Sequence, residues 1–272
     1  MKAIIVDISR CNGCYDCQFA CKDEHCGNDW SPIAKPQPMT GQFWCKVDQK
    51  ERGRVPVVAV DYTPTFCGHC DNAACMAAAK GGAVYRREDG LVVIDPEKAR
   101  GQKQIVDACP QHMVFWNEEL QLPQKCTGCA HLLDDGWTEP RCVDACFTGA
   151  QRYGDESEFA DEIAKAQQLP GSEGLGMHVY YLNKRGPRWI AGEVADRSAN
   201  EVVIGAKVTI ADAAGATVAT LSTDEFGDFR YNDAKPTNYH VTIEAEGYGP
   251  VQLEADCNER DEVFDDIVVK AN

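Results

Sequence analysis

Residues 11–21 read CNGCYDCQFAC, placing Cys11, Cys14, Cys17 and Cys21 in an unbroken C-x2-C-x2-C-x3-C run. Three thiols this close on one short loop can wrap a cubane of iron and sulfide. The three-residue step before the fourth starts a helix that carries it to a neighbouring cluster. A four-cysteine zinc site uses two C-x2-C pairs and would leave the rest of such a run idle. Disulfide frameworks belong to small secreted chains, and thiols two residues apart suit metals better. The run therefore marks a [4Fe–4S] protein.

Three further blocks follow. Cys67, Cys70 and Cys75 form C-x2-C-x4-C, Cys109 stands alone before Pro110, and Cys126, Cys129, Cys142 and Cys146 form a block with a twelve-residue insert. Projected back from Cys109, the ferredoxin spacing puts absent cysteines on Ala99, Gln102 and Ile105; projected forward from Cys75, it puts one on Ala79. Suppose each block lends its fourth cysteine to a partner block. Only the pairing of first with fourth and second with third leaves no orphan thiol. It yields three complete sites: Cys11, Cys14, Cys17 and Cys146; Cys126, Cys129, Cys142 and Cys21; and Cys67, Cys70, Cys75 and Cys109. A fourth site is erased. The alternative is that Ala79, Ala99, Gln102 and Ile105 are ordinary residues outside any motif, with four absences coinciding on one site.

The chain has 272 residues, room for one or two domains. Its 43 acidic against 27 basic side chains leave a net charge of −16, which argues against nucleic acid or an anionic membrane as partner. No apolar run approaches the ~20 residues that span a bilayer, and the opening MKAIIVDISRC is too short for a signal-peptide core. A cytoplasmic address is expected, with export beside a signal-bearing partner as the exception.

Residues 1–186 read as an α+β, ferredoxin-like iron–sulfur domain that duplicates a two-cluster unit. Strands are expected over residues 2–8, 54–62 and 91–95. A helix is expected over 157–169, opened by Asp155 and Ser157. The helix and an extended stretch form an arm, 155–186, read as a surface wrap onto a partner. From Trp189 the pattern switches to two-residue alternation (Val208/Ile210, Val241/Ile243, Val251/Leu253) broken by turn residues. About seven short strands fit an all-β antiparallel sandwich over 187–272, similar to Cna-B and transthyretin-like modules. Residues 188–272 hold 17 acidic and 7 basic side chains, so this module supplies most of the net charge. A docking or stabilising role fits it best.

His69, inside the second block, could ligate a metal, but Cys67, Cys70, Cys75 and Cys109 already complete a site, so it reads as a hydrogen-bond donor to a cluster. His112, His131 and Lys125 lie beside cluster cysteines, where they could raise a potential or simply be surface. Cys26, Cys45 and Cys257 fall outside every pattern and read as free buried thiols. Gly171–Gly176 follows a helix instead of opening one, so it fails as a dinucleotide loop. No catalytic site can be assigned to this chain.

The four blocks, the insert-bearing stretch KCTGCAHLLDDGWTEPRCVDAC (125–146) and the following GDESEF…VYYL resemble the electron-transfer subunits of molybdopterin oxidoreductases of the dimethyl sulfoxide reductase family, over residues 1–184. The resemblance implies [4Fe–4S] clusters here and molybdopterin on a large catalytic partner only. It implies a heterodimer or higher assembly, with no nucleic acid and no direct membrane insertion. Members typically carry four clusters, so the erased site is the main departure. Phe147 also stands where a proline is expected after Cys146, Lys22 and Lys80 occupy the matching places of the first two blocks, and the sandwich is an addition. A relay lacking an inner link suits an enzyme that needs no net external electrons. A respiratory reductase subunit and a scaffold whose clusters only staple the fold remain alternatives.

Overall fold

The computed structural model describes residues 1–55, 57–184, 186 and 188–271. They fall into two compact units, one of residues 1–49 and 62–184 and one of residues 50–61 and 185–272.

In the first unit β1 (Lys2–Asp7) leads into α1 (Asp16–His25). β2 (Cys45–Arg54) and β3 (Val57–Phe66) make a hairpin whose tip, residues 50–61, belongs to the second unit. Short elements follow: α2 (Ala74–Ala78), β4 (Val84–Arg86), β5 (Val92–Ile94), α3 (Gln104–Asp107), β6 (Val114–Asn117), β7 (Leu122–Lys125), α4 (Ala130–Asp134) and α5 (Arg141–Asp144). β8 (Gln151–Asp155), α6 (Ala160–Ile163) and β9 (Val179–Leu182) complete the unit. Helices of four or five residues do not hold on their own. The cysteine loops turn the chain sharply at Tyr15, His69 and Cys129, which take φ of +66°, +46° and +52°.

The order β8-β1-β9 forms the one three-stranded sheet of this unit, with Ala3, Ile5 and Val6 buried. Here the arm departs from the surface wrap expected of it. β9 pairs parallel with β1, from Ile4–Val179 to Asp7–Leu182, and Val179 and Tyr181 are buried. Their two-residue spacing is the mark of a strand with one covered face. The helix expected over 157–169 is also shorter. Asp155 and Glu158 form a capping box over a 3-10 turn at Glu156–Phe159, and α6 then ends at Ile163. Beyond it Gln167 is drawn off to pair with Tyr181, N–H to carbonyl in both directions at 2.8 and 2.9 Å.

The second unit contains β10 (Arg188–Asp196), β11 (Glu201–Val202), β12 (Lys207–Asp212), β13 (Thr217–Ser222), β14 (Asp228–Ala234), β15 (Asn238–Glu244), β16 (Val251–Asp256) and β17 (Glu262–Val268). One sheet has the order β13-β12-β15-β16; in the other β10 pairs with β11, β14 and β17. Val208, Ile210, Val241 and Ile243 from the first share a single core with Val194, Phe229 and Ile267 from the second. That core makes a two-layer β module. One pairing corrects the antiparallel expectation: β17 runs parallel to β10. Parallel neighbours need a long crossover, and here β11 to β16 lie between the two strands along the chain. The hairpin tip is fixed by Arg52, which is 3% exposed and lies 3.0 Å from Asp61 and 2.7 Å from Asp261. The Trp189 ring lies against the guanidinium groups of both Arg52 and Arg230, 5.4 and 4.6 Å from its centroid.

Candidate metal centres

The first and fourth blocks meet through α1 and α5. Cys17 and Cys21 lie one turn apart on α1; Cys142 lies on α5 and Cys146 just beyond it. Burial pushes the Cys21 thiol well up, and the sulfurs of Cys142, Cys126 and Cys129 push it further. Burial likewise raises Cys11, and the sulfurs of Cys17, Cys14 and Cys146 push it further. Cys14 is exposed and Cys17 buried, so this quartet reaches the surface. The second and third blocks meet in the same way through α2 and α3. Burial pushes Cys70 up to about 12, with Cys67, Cys75 and Cys109 adding repulsion. Each of the three quartets read from the sequence is thus brought together.

Among the described residues no three His, Cys, Asp or Glu side chains are gathered closely enough to hold a single metal ion. Instead, a cavity of about 40 Å³ is lined by Cys21, Cys126, Cys129 and Cys142, and another of about 30 Å³ by Cys67, Cys70, Cys75 and Cys109. Each exceeds the roughly 10–15 Å³ that one water needs. Thiols pushed up by crowding and burial are relieved when a metal takes their protons' place. The walls supply N–H donors as well: Gly128 N donates to Cys126 Sγ at 3.3 Å and Met113 N to Cys109 Sγ at 3.4 Å. The four-thiol donor sets lining these two cavities fit [4Fe–4S] clusters. Two loop glycines are fixed by close approach, since a Cβ on Gly13 would fall 2.4 Å from the Tyr62 ring and one on Gly128 2.6 Å from Leu91.

The four positions where the ferredoxin spacing lacks cysteines also come together, as a plug. Ala99 and Ile105 are fully buried, and half-buried Ala79 packs in the same cluster. Gln102 closes it by accepting from Lys80 N at 2.8 Å and donating to the Lys80 carbonyl at 3.1 Å.

Several groups near the sulfurs were less legible. Lys125, read as either surface or tuning, is 3% exposed, with Nζ 3.5 Å from Cys67 Sγ. His69 is buried and its Nδ1 accepts from Val92 N at 3.1 Å, leaving the proton on Nε2. Desolvation pushes His25 down to about 3, with His131 adding to it; its Nε2 lies 3.9 Å from Cys129 Sγ. His112 is exposed, and His131 pairs with Glu24 at 3.0 Å. Cys45 is more than a stray thiol. Its hydrogen bond pulls Cys17 down to about 7 against burial, and it also contacts Cys142, so it lies between two quartets. Its position on the β2–β3 hairpin gave no spacing signal. Cys26 is half-buried, not the buried thiol expected, and lies beside Met39 at 3.7 Å, whereas Cys257 is buried in the second unit's core. No described helix is long and apolar enough to cross a membrane.

Comparison with known proteins agrees with this geometry. Residues 58–156 match a 4Fe-4S dicluster domain and residues 189–268 a carboxypeptidase regulatory-like domain. The pyrogallol hydroxytransferase small subunit of Pelobacter acidigallici is 38% identical over 255 residues, 90% of each chain. A tetrathionate reductase subunit of Salmonella typhimurium is 34% identical, covering 66% of this chain and 71% of that one. The arsenate respiratory reductase iron–sulfur subunit of a Shewanella species is 25% identical, covering 67% and 96%. The chain thus belongs to the iron–sulfur electron-transfer subunits of the dimethyl sulfoxide reductase family of molybdopterin oxidoreductases, which work beside a larger catalytic subunit.

Proposed function

We infer that this chain holds three [4Fe–4S] clusters and serves a molybdopterin enzyme that moves a hydroxyl between polyphenols, pyrogallol to phloroglucinol, on the large subunit. When bound, such clusters store and pass single electrons at potentials between roughly −700 and +450 mV. Cys11, Cys14, Cys17 and Cys146 would hold one, Cys126, Cys129, Cys142 and Cys21 a second, and Cys67, Cys70, Cys75 and Cys109 the third. The chain's other contribution is to bury the second and third sites and supply their N–H donors. It offers no catalytic residue of its own.

The observation that carries this reading is the plug of Ala79, Ala99, Gln102 and Ile105. Pyrogallol and phloroglucinol are isomers, so their interconversion consumes no electrons, and a shortened row of clusters is no handicap. Likeness over 90% of both chains to a pyrogallol hydroxytransferase small subunit supports the same substrate class. The test is turnover by the purified two-subunit complex. Phloroglucinol formed from pyrogallol with no stoichiometric donor or acceptor is expected. Activity that instead requires a quinol or another net reductant would return the chain to the respiratory reductases.

A further inference from the structure

Strand β7 ends on Lys125, whose ammonium is buried between two of the quartets. Its Nζ donates to the carbonyls of Val92 and Cys126, the latter at 3.1 Å, and stands 3.5 Å from Cys67 Sγ. Three N–H groups thus meet three acceptors, which holds the ammonium in place. The negative groups acting on it are foremost the sulfurs of Cys67, Cys75 and Cys126, with no carboxylate among them. Cys67 and Cys75 belong to one quartet and Cys126 to another.

His69 stands in the wall common to the two cavities. Among the described residues its Nε2 has no partner, although the ring is buried. Val92 orients both groups: its carbonyl holds the ammonium and its N–H fixes the imidazole tautomer.

A cation removed from water costs several kcal/mol unless opposite charge meets it. Here that charge comes from thiolates, which are ionised when they hold metal. An added electron makes a thiolate-bound cubane more negative, so a fixed cation beside it favours the reduced form. Resting on the three-site reading above, we propose that Lys125 is the shared counter-charge of the Cys67 and Cys126 quartets, raising the reduction potential of both and leaving the Cys11 quartet unaffected. The His69 Nε2–H is the neutral donor in the same gap.

The test is K125M in the purified complex, titrated potentiometrically under electron paramagnetic resonance, with iron counted in the same sample. Two couples should fall by at least about tenfold in reduction equilibrium constant, about 59 mV for a one-electron couple, and the third should stay. Movement of one couple, of all three alike, or of none would overturn the proposal. Should K125M lose iron from these sites, the charge-retaining K125R decides. Restored iron upholds the counter-charge; loss in both variants means the residue is needed only for packing. A wild-type iron count other than about 12 per chain would overturn the three-site reading itself, separately from any shift.

Discussion

Gln102 and Lys80 are clasped amide to peptide: the Gln102 side chain accepts from Lys80 N at 2.8 Å and donates to the Lys80 carbonyl at 3.1 Å. A third bond runs from the same amide nitrogen to the Lys98 carbonyl at 2.9 Å. One side chain therefore ties the turn after α2 to the turn before α3.

Removing this clasp should loosen the plug without touching any thiol. Q102A is expected to lower stability by about 1–2 kcal/mol, the worth of a few partly exposed hydrogen bonds, while iron content stays unchanged. Thermal unfolding and iron assay on one preparation would show it. Loss of iron at unchanged stability would mean that Gln102 belongs to a live site.

Ile105 fills the centre of the plug and is fully buried. Truncation to alanine in a packed core costs about 2–5 kcal/mol, and I105A should fall in that range, above Q102A. A cost below about 1 kcal/mol would show that the site is loosely filled, contradicting the plug.

Cys67 separates electron transfer from scaffolding, whereas loss of Cys11 would damage both. C67S in the assembled complex should abolish or strongly reduce turnover even where both subunits still co-purify. Normal turnover with reduced assembly would favour the scaffold.

The second unit carries its own pH signature. Burial pushes the Asp261 carboxyl up, but Arg52 and the N–H groups of Trp189 and Gly53 outweigh it and hold it below the usual carboxylate range. A depressed folded pKa contributes stability that is present above the unfolded value and lost as pH falls through the folded one. The melting temperature should therefore be flat above about pH 5 and fall below about pH 4. D261N leaves Arg52 buried beside Asp61 alone, so it should cost about 3 kcal/mol at neutral pH and flatten the acid limb. Tryptophan emission can follow this, since Arg52 lies 5.4 Å from the Trp189 ring. An unchanged acid limb in D261N would rule out this pair as its source.

The cysteine blocks were legible because wrapping a cubane fixes spacing along the chain, and their gaps pointed to Ala79, Ala99, Gln102 and Ile105 for the same reason. The alternation after Trp189 announced a β module, but the parallel seat of β17 depends on closing its first and last strands, which local pattern does not encode. Val179 and Tyr181 carried a strand pattern that their isolation from other strands disguised. Cys45 and Lys125 were hardest to read. Their roles arise where a hairpin and a strand end are folded between quartets, and burial of a lone lysine has no signature in sequence.

Iron and molybdenum counted together, per copy of this chain in the natively purified complex, test the central claim most directly. Three cubanes beside a pterin partner require about 12 irons and about one molybdenum. About 16 irons would mean that a fourth cluster survives on unexpected ligands, contradicting the plug and the broken row that follows from it.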